Sequence, residues 1–244
     1  MRAVFVDGDP VSADIFKRLA KPGDPSVHSH IDPDIPPNTI PDVLGDANIA
    51  IIDHTYLPTD VAKRCKALKD VVFLGTGARS YMNPEELGEL GISVHIIKGY
   101  GDTAVAEAAM ALMWEAARGI AHMDREMRNG EWLRTEGMQL TGKTLGLVGV
   151  GGIGAEVARM ASGIGMRVLA WHRTPQAQAN VTFVDIDTSL TESHVASMHL
   201  LLNDETLPFL SREPLSSTRP AALLLNPAPP RPVAPHSILH PLPP

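Results

Sequence analysis

The chain has 244 residues, 44% of them hydrophobic and 20% charged, enough to bury the core of one large domain or two modest ones. A formal charge of −7 argues against a nucleic-acid partner, since a phosphate backbone is bound by clustered Lys and Arg. No run of about 18 apolar residues occurs, so no membrane span is expected, and a single cysteine, Cys65, allows neither an internal disulfide nor a metal site, as suits a cytoplasmic chain.

The first hundred residues alternate short apolar runs of strand length with helix-like runs. Residues 3–6, 49–52, 71–74 and 94–97 read as strands. Residues 11–19, 58–68 and 84–90 read as amphipathic helices, each opening near a Pro, Asp or Thr. In the second of these, Val61, Cys65 and Leu68 share a face, which makes Cys65 a packing residue. Four prolines in residues 32–45 predict an irregular crossing. Alternating strands and helices imply a parallel sheet covered on its faces.

Residues 102–129 read as one long alanine-rich helix, with Asp102 or Thr103 as its cap. Its centre, residues 105–114, is apolar nearly all round, so burial on more than one side is expected. A hinge between domains and a dimer interface would each provide that burial.

A strand-like run over 145–148 then leads into Gly149-Val150-Gly151-Gly152-Ile153-Gly154 and a helix with Ile153, Val157, Ala161 and Ile164 on one face and Glu156 and Arg159 outward. A second strand follows over 167–171. Strand, glycine turn, helix and strand form the setting in which G-x-G-x-x-G points to a dinucleotide. Gly149 allows the tight turn, Gly151 lets backbone approach a diphosphate, and Gly154 lets the helix pack closely. The helix N-terminus supplies free N–H groups and the positive end of its dipole.

A carboxylate at the end of the second strand would bind the ribose 2′-hydroxyl of NAD and repel a 2′-phosphate. Here the strand ends in Trp171-His172-Arg173-Thr174. His172 takes the acidic position and Arg173 can pair with a phosphate, which favours acceptance of NADP(H). The other reading is a solvated Arg173, with His172 at an NAD ribose.

Residues 105–118 (VAEAAMALMWEAAR) and 140–154 (LTGKTLGLVGVGGIG) together resemble the NAD(P)-dependent D-isomer-specific 2-hydroxyacid dehydrogenases, a family that includes glyoxylate/hydroxypyruvate reductases and phosphoglycerate dehydrogenases. Residues 73–94 and 197–215 carry the same likeness, which runs from about residue 45 to Asn226. The resemblance implies an α/β fold of two doubly wound domains, one flavodoxin-like and one Rossmann. The first would be a substrate domain over 1–98. The second would be an NAD(P)-binding domain over 99–226, including the linker helix and incomplete at its C-terminus, with a proline-rich tail over 227–244. It further implies a homodimer that transfers hydride between a nicotinamide and a small 2-oxo or 2-hydroxy acid. The backbone of Gly75, Thr76 and Gly77 would hold the substrate carboxylate. Gly152 and Ile153 would lie at the diphosphate, His172 at the adenosine ribose, and Thr206 near the nicotinamide half. Two departures are visible, Arg79 where the family often has an acid and Leu201 where it usually has proline. Arg79 could attract an acidic substrate or be a plain surface arginine, and His199 reads as structural.

Chemistry on a 2-hydroxy acid needs a cation for the carboxylate and carbonyl, a general acid/base, and an acid to tune it. The family places the cation in an Asn-Thr-Ala-Arg-Gly motif, with glutamate and histidine following. Here Asn226 precedes Pro227-Ala228-Pro229, so Pro229 stands at the arginine position, and the 15 residues beyond it are too few for the rest. Eight prolines among residues 227–244 favour polyproline II or disorder, in which Arg231, His236 and His240 would be poor substitutes. The catalytic residues are therefore left unassigned. Three functions stay open: a dehydrogenase, a nucleotide-binding protein without catalysis, and an inactive truncated fragment.

Overall fold

The computed structural model describes residues 1–200, 218–219 and 222–227. It divides into two units, Met1–Tyr100 and Gly101–Pro244.

In the first unit the elements run β1 (Arg2–Gly8), α1 (Pro10–Leu19), β2 (Ser26–Ile31), α2 (Ile40–Leu44), β3 (Ile49–Ile52), α3 (Thr59–Ala62), β4 (Asp70–Phe73), α4 (Pro84–Glu89) and β5 (Ser93–Ile96). All strand pairs are parallel, in the order β2-β1-β3-β4-β5, the flavodoxin-like arrangement. Alternate residues serve the two faces. Val4, Val6, Ala50, Ile52, Val71 and Phe73 join one core with Ile40, Leu44 and Leu87, while Ala3, Phe5 and Ile51 pack with Phe16 on the other. Asp9 caps α1 through Val11 N at 2.7 Å and Ser12 N at 3.1 Å, with Pro10 as the first helical residue.

Two expectations for this unit need correcting. The helix read over 58–68 is α-helical only over Thr59–Ala62 and continues as i→i+3 turns, Cys65 N to Ala62 O and Leu68 N to Cys65 O, which still bury Val61, Cys65 and Leu68. Strand β2 went unread because Ser26–Ile31 carries Ser and His where apolar residues would alternate, and it lies at the sheet edge with little to bury. The proline-rich crossing is irregular up to Pro36 and then folds into α2, with Ile35, Ile40 and Leu44 buried.

The second unit comprises α5 (Asp102–Arg118), α6 (Ile120–Arg128), β6 (Thr144–Val148), α7 (Gly152–Gly163), β7 (Arg167–Trp171), β8 (Val181–Phe183), α8 (Ile186–Thr191), β9 (Val195–Met198) and β10 (Leu223–Leu225). The parallel order β10-β9-β6-β7-β8 is the Rossmann arrangement. The helix expected over 102–129 is two helices. Gly119 adopts the left-handed conformation at φ 62°, and Met138 N takes the carbonyl of Ala117 at 2.7 Å, which ends α5. Its buried residues Ala106, Ala109, Met110, Met113 and Ala117 form one face, packed with Val157, Ala158 and Ala161 of α7. Leu112 and Trp114 are exposed, so burial on a second side is not found within the described residues. Asp102 is not a cap either: the N-cap is Gly101, which offers no side-chain bond.

Candidate functional site

The order of strands in the second sheet switches sides between β6 and β9, and a ligand crevice is expected beyond the carboxyl ends of strands at such a switch point. The glycine turn leaves β6 at that place. Gly149 has φ 100°, its N–H reaches Trp171 O at 2.9 Å, and a Cβ there would lie 2.7 Å from His199 O, so turn and packing both demand glycine. A Cβ on Gly154 would lie 2.5 Å from Gly149 O, which explains close seating of α7 on its own turn.

Gly151 differs from both. It is the N-cap of α7, in ordinary extended conformation (φ −89°, ψ −161°), and a Cβ there would meet nothing within 4 Å. Neither backbone strain nor protein packing requires glycine there. The open space lies at the mouth of a 12-residue helix that lacks a side-chain cap, so its first-turn N–H groups face outward without an acceptor from Gly151. The cradle fits a diphosphate. Along α7, Val157 and Ala161 are buried, Ile153 and Ile164 pack against the core, and Glu156 and Arg159 pair outside at 2.8 Å.

At the end of β7, His172 Nδ1 accepts from Thr174 N at 3.1 Å and lies 2.9 Å from Thr174 O, while Arg173 and Thr174 are exposed. No carboxylate stands within Trp171, His172, Arg173 and Thr174. His199 follows β9, and its Nε2 lies 2.9 Å from Ser197 Oγ. Burial pushes its pKa down to about 4, so the ring is neutral at pH 7. Thr206, Pro229 and the proline-rich tail lie outside the described residues.

In the first unit, Gly75, Thr76 and Gly77 form the loop that leaves the carboxyl end of β4. A Cβ on Gly75 would lie 2.6 Å from the Phe73 ring, and Gly75 O accepts from Ile97 N at 3.1 Å, so the loop is pinned to its own strand and to the chain after β5. Among the described residues the N–H groups of Gly75, Thr76 and Gly77 bond to no carbonyl, leaving backbone donors at the strand end. Beside it, buried Asp7 accepts from Asp53 N, His54 N and Thr55 N at 2.7–3.2 Å and fixes the turn after β3. Burial pulls the His54 pKa down, but its bond to Pro33 O and the charges of Asp7 and Asp53 outweigh this and raise it overall. Arg79 forms a two-pronged pair with Glu85, whose carboxyl that bond holds below its ordinary range. It is an exposed arginine with a partner of its own.

One residue at the glycine turn escaped the sequence reading. A Cβ on Gly152 would lie 2.6 Å from Asp102 Cγ and overlap the carboxylate, so the acid sits directly against the first residue of α7. The available signal was the extra glycine inside the G-x-G-x-x-G run. Among the described residues no group of three or more His, Cys, Asp or Glu could hold a metal, and no helix is long and apolar enough to cross a membrane.

Residues 110–234 match the sequence model of the NAD-binding domain of the D-isomer-specific 2-hydroxyacid dehydrogenases. A hydroxypyruvate reductase of Thermotoga maritima is 32% identical over 224 residues, covering 90% of this chain and 72% of that protein. A glyoxylate reductase of Thermococcus litoralis is 37% identical over 155 residues, 58% of this chain and 47% of that protein. The solved structure of the TT0316 protein from Thermus thermophilus is similar at a TM-score of 0.81 and 30% identity, over 93% of this chain and 73% of that one. The chain thus spans between about half and three quarters of the length of these relatives.

Proposed function

The chain belongs to the D-isomer-specific 2-hydroxyacid dehydrogenase family, and from that premise we propose that its second unit binds NAD(P)H with the diphosphate at the mouth of α7. The observation that carries this reading is Gly151, an unstrained residue whose missing Cβ faces open space at an uncapped helix N-terminus. Gly149 shapes the turn, Gly152, Ile153 and Gly154 offer N–H groups to phosphate oxygens, and His172, Arg173 and Thr174 line the adenosine ribose. Thr206 is assigned to the nicotinamide half by family likeness alone. The absence of an acid at the end of β7 favours NADP(H) slightly, since a carboxylate about 4 Å from a phosphate would cost roughly 4 kcal/mol per pair of unit charges at an effective dielectric of 20.

When bound, the nicotinamide supplies the hydride that such enzymes exchange with a 2-oxo or 2-hydroxy acid. In the first unit the backbone donors of Gly75, Thr76 and Gly77 would hold the carboxylate of a small acid of the glyoxylate or hydroxypyruvate kind. A second reading, binding without turnover, is favoured by Pro229 at the position where the family places its arginine. Fluorescence titration and substrate-dependent oxidation of NADH and NADPH separate the two. Dehydrogenase function requires enhancement plus oxidation with glyoxylate or hydroxypyruvate, and simple nucleotide binding requires enhancement alone. Neither signal from folded protein would remove the whole proposal.

We also assign exposed apolar side chains of α5 and α6 to contact with a second copy, because Leu112 and Trp114, which flank buried Met113 on α5, and Ile120 and Met127 of α6 expose apolar surface. Replacing Leu112 and Trp114 by glutamate is expected to convert a dimer into a monomer in analytical ultracentrifugation. A monomeric wild-type chain would refute the assignment. A cytoplasmic setting accords with the buried free thiol of Cys65.

A further inference from the structure

We infer that Asp102 is a resident anion at the mouth of α7 that sets how tightly the chain holds a dinucleotide, an inference that rests on reading this mouth as the diphosphate seat. Three glycines of the run have their own reasons: positive φ and packing at Gly149, open ligand space at Gly151, and contact with the turn at Gly154. Gly152 shares none of them. It is the first residue of α7, its φ is not positive, and what a side chain there would strike is the Asp102 carboxylate, with Cγ 2.6 Å and Oδ1 3.1 Å from the Cβ position. The second x of the run is therefore glycine to admit an acid.

Asp102 gains no obvious structural return for occupying that space. It is the first residue of α5 and not its cap, and among the described residues its carboxylate takes part in no hydrogen bond or ion pair. What it does meet is the positive dipole end of two helices, α5 and α7, a place suited to an anion. A diphosphate seated on the first-turn N–H groups of α7 would bring further negative charge within a few ångströms of this carboxylate. Attraction to the helix end and repulsion from Asp102 would then oppose each other, giving weaker binding and faster cofactor release than the glycine cradle alone would produce.

The test uses the full chain and its Asp102→Asn variant, which keeps the shape and removes the charge. Calorimetric titration with NADH and NADPH is expected to show the variant binding about tenfold more tightly at roughly 0.05 M salt. The advantage should shrink to about twofold at roughly 0.5 M, because the lost repulsion is a screened one. A merely structural aspartate would not produce that salt dependence. Equal or weaker binding by the variant at low salt overturns this inference alone, while absence of binding by both proteins overturns the diphosphate seat together with it. A thermal-melt cycle checks the contact independently. Gly152→Ala should lower the melting temperature, and Asp102→Ala in the same chain should restore most of the loss. Additive losses would show that Gly152 does not make room for Asp102.

Discussion

Gly151→Val is expected to weaken NADH and NADPH binding by about a hundredfold or more while the chain still folds. The open space at Gly151 and its ordinary backbone angles allow a branched side chain to be built without collision with protein. The same side chain would fill the volume through which a diphosphate must approach the first-turn N–H groups, so the loss falls on binding. Valine is a poorer helix cap than glycine, and a cost of about 1 kcal/mol should lower the melting temperature by roughly 2–4 °C. Gly151→Ser sharpens the comparison. Serine caps helices well, so its hydroxyl should occupy the free N–H groups, hold or slightly raise the melting temperature, and still impair binding. Calorimetry and thermal melts on both variants read the two effects separately. Retention of wild-type affinity by Gly151→Val would mean that the diphosphate does not sit at α7.

The second large effect is acid sensitivity from His199. Burial lowers its pKa from 6.5 to about 4, so the folded chain refuses a proton that the unfolded chain accepts as pH falls below about 6.5. Protons then favour the unfolded state, and stability drops progressively from about pH 6.5 to about pH 4. Below that both forms are protonated and this contribution stays constant, and above about 6.5 it vanishes. Integrated over that window the loss is at most about 3 kcal/mol. His199→Asn retains a polar group beside Ser197 and removes the titration. Urea unfolding at a series of pH values should show the slope between pH 4 and 6.5 flattened in this variant. An unchanged slope would show that His199 does not refuse protons in the folded chain. Carboxylates held below their usual range, such as Asp9, Glu85 and Asp185, add their own losses from the acidic end of this window downward, in the wild type and the variant alike.

Elements whose own residues carry a strong signal were legible from the chain. Strands 49–52 and 167–171 match to the residue, because buried parallel strands are short runs of apolar residues. The glycine turn was legible too, since Gly149, Gly151 and Gly154 were each given a local reason that can be stated before any coordinates exist, whereas Gly152 was not. Elements set by position within the sheet were not. Strand β2 is polar because it lies at an edge, and the chain around Gly119 looks helical until one left-handed residue breaks it. Arg79 shows the same limit at a candidate site: its charge was evident, but its partner, Glu85, is set by how the loop folds back.

Sequence alone determined the family, the two parallel sheets and the glycine turn after β6, because periodicity, turn chemistry and motif spacing act over a few neighbouring residues. Tertiary structure alone decided that Asp102 meets Gly152, that His199 is held neutral beside Ser197, and that Asp7 closes the turn after β3. These depend on which distant segments are brought within a few ångströms, and on the water excluded there. A linear pattern encodes neither quantity until the chain has packed.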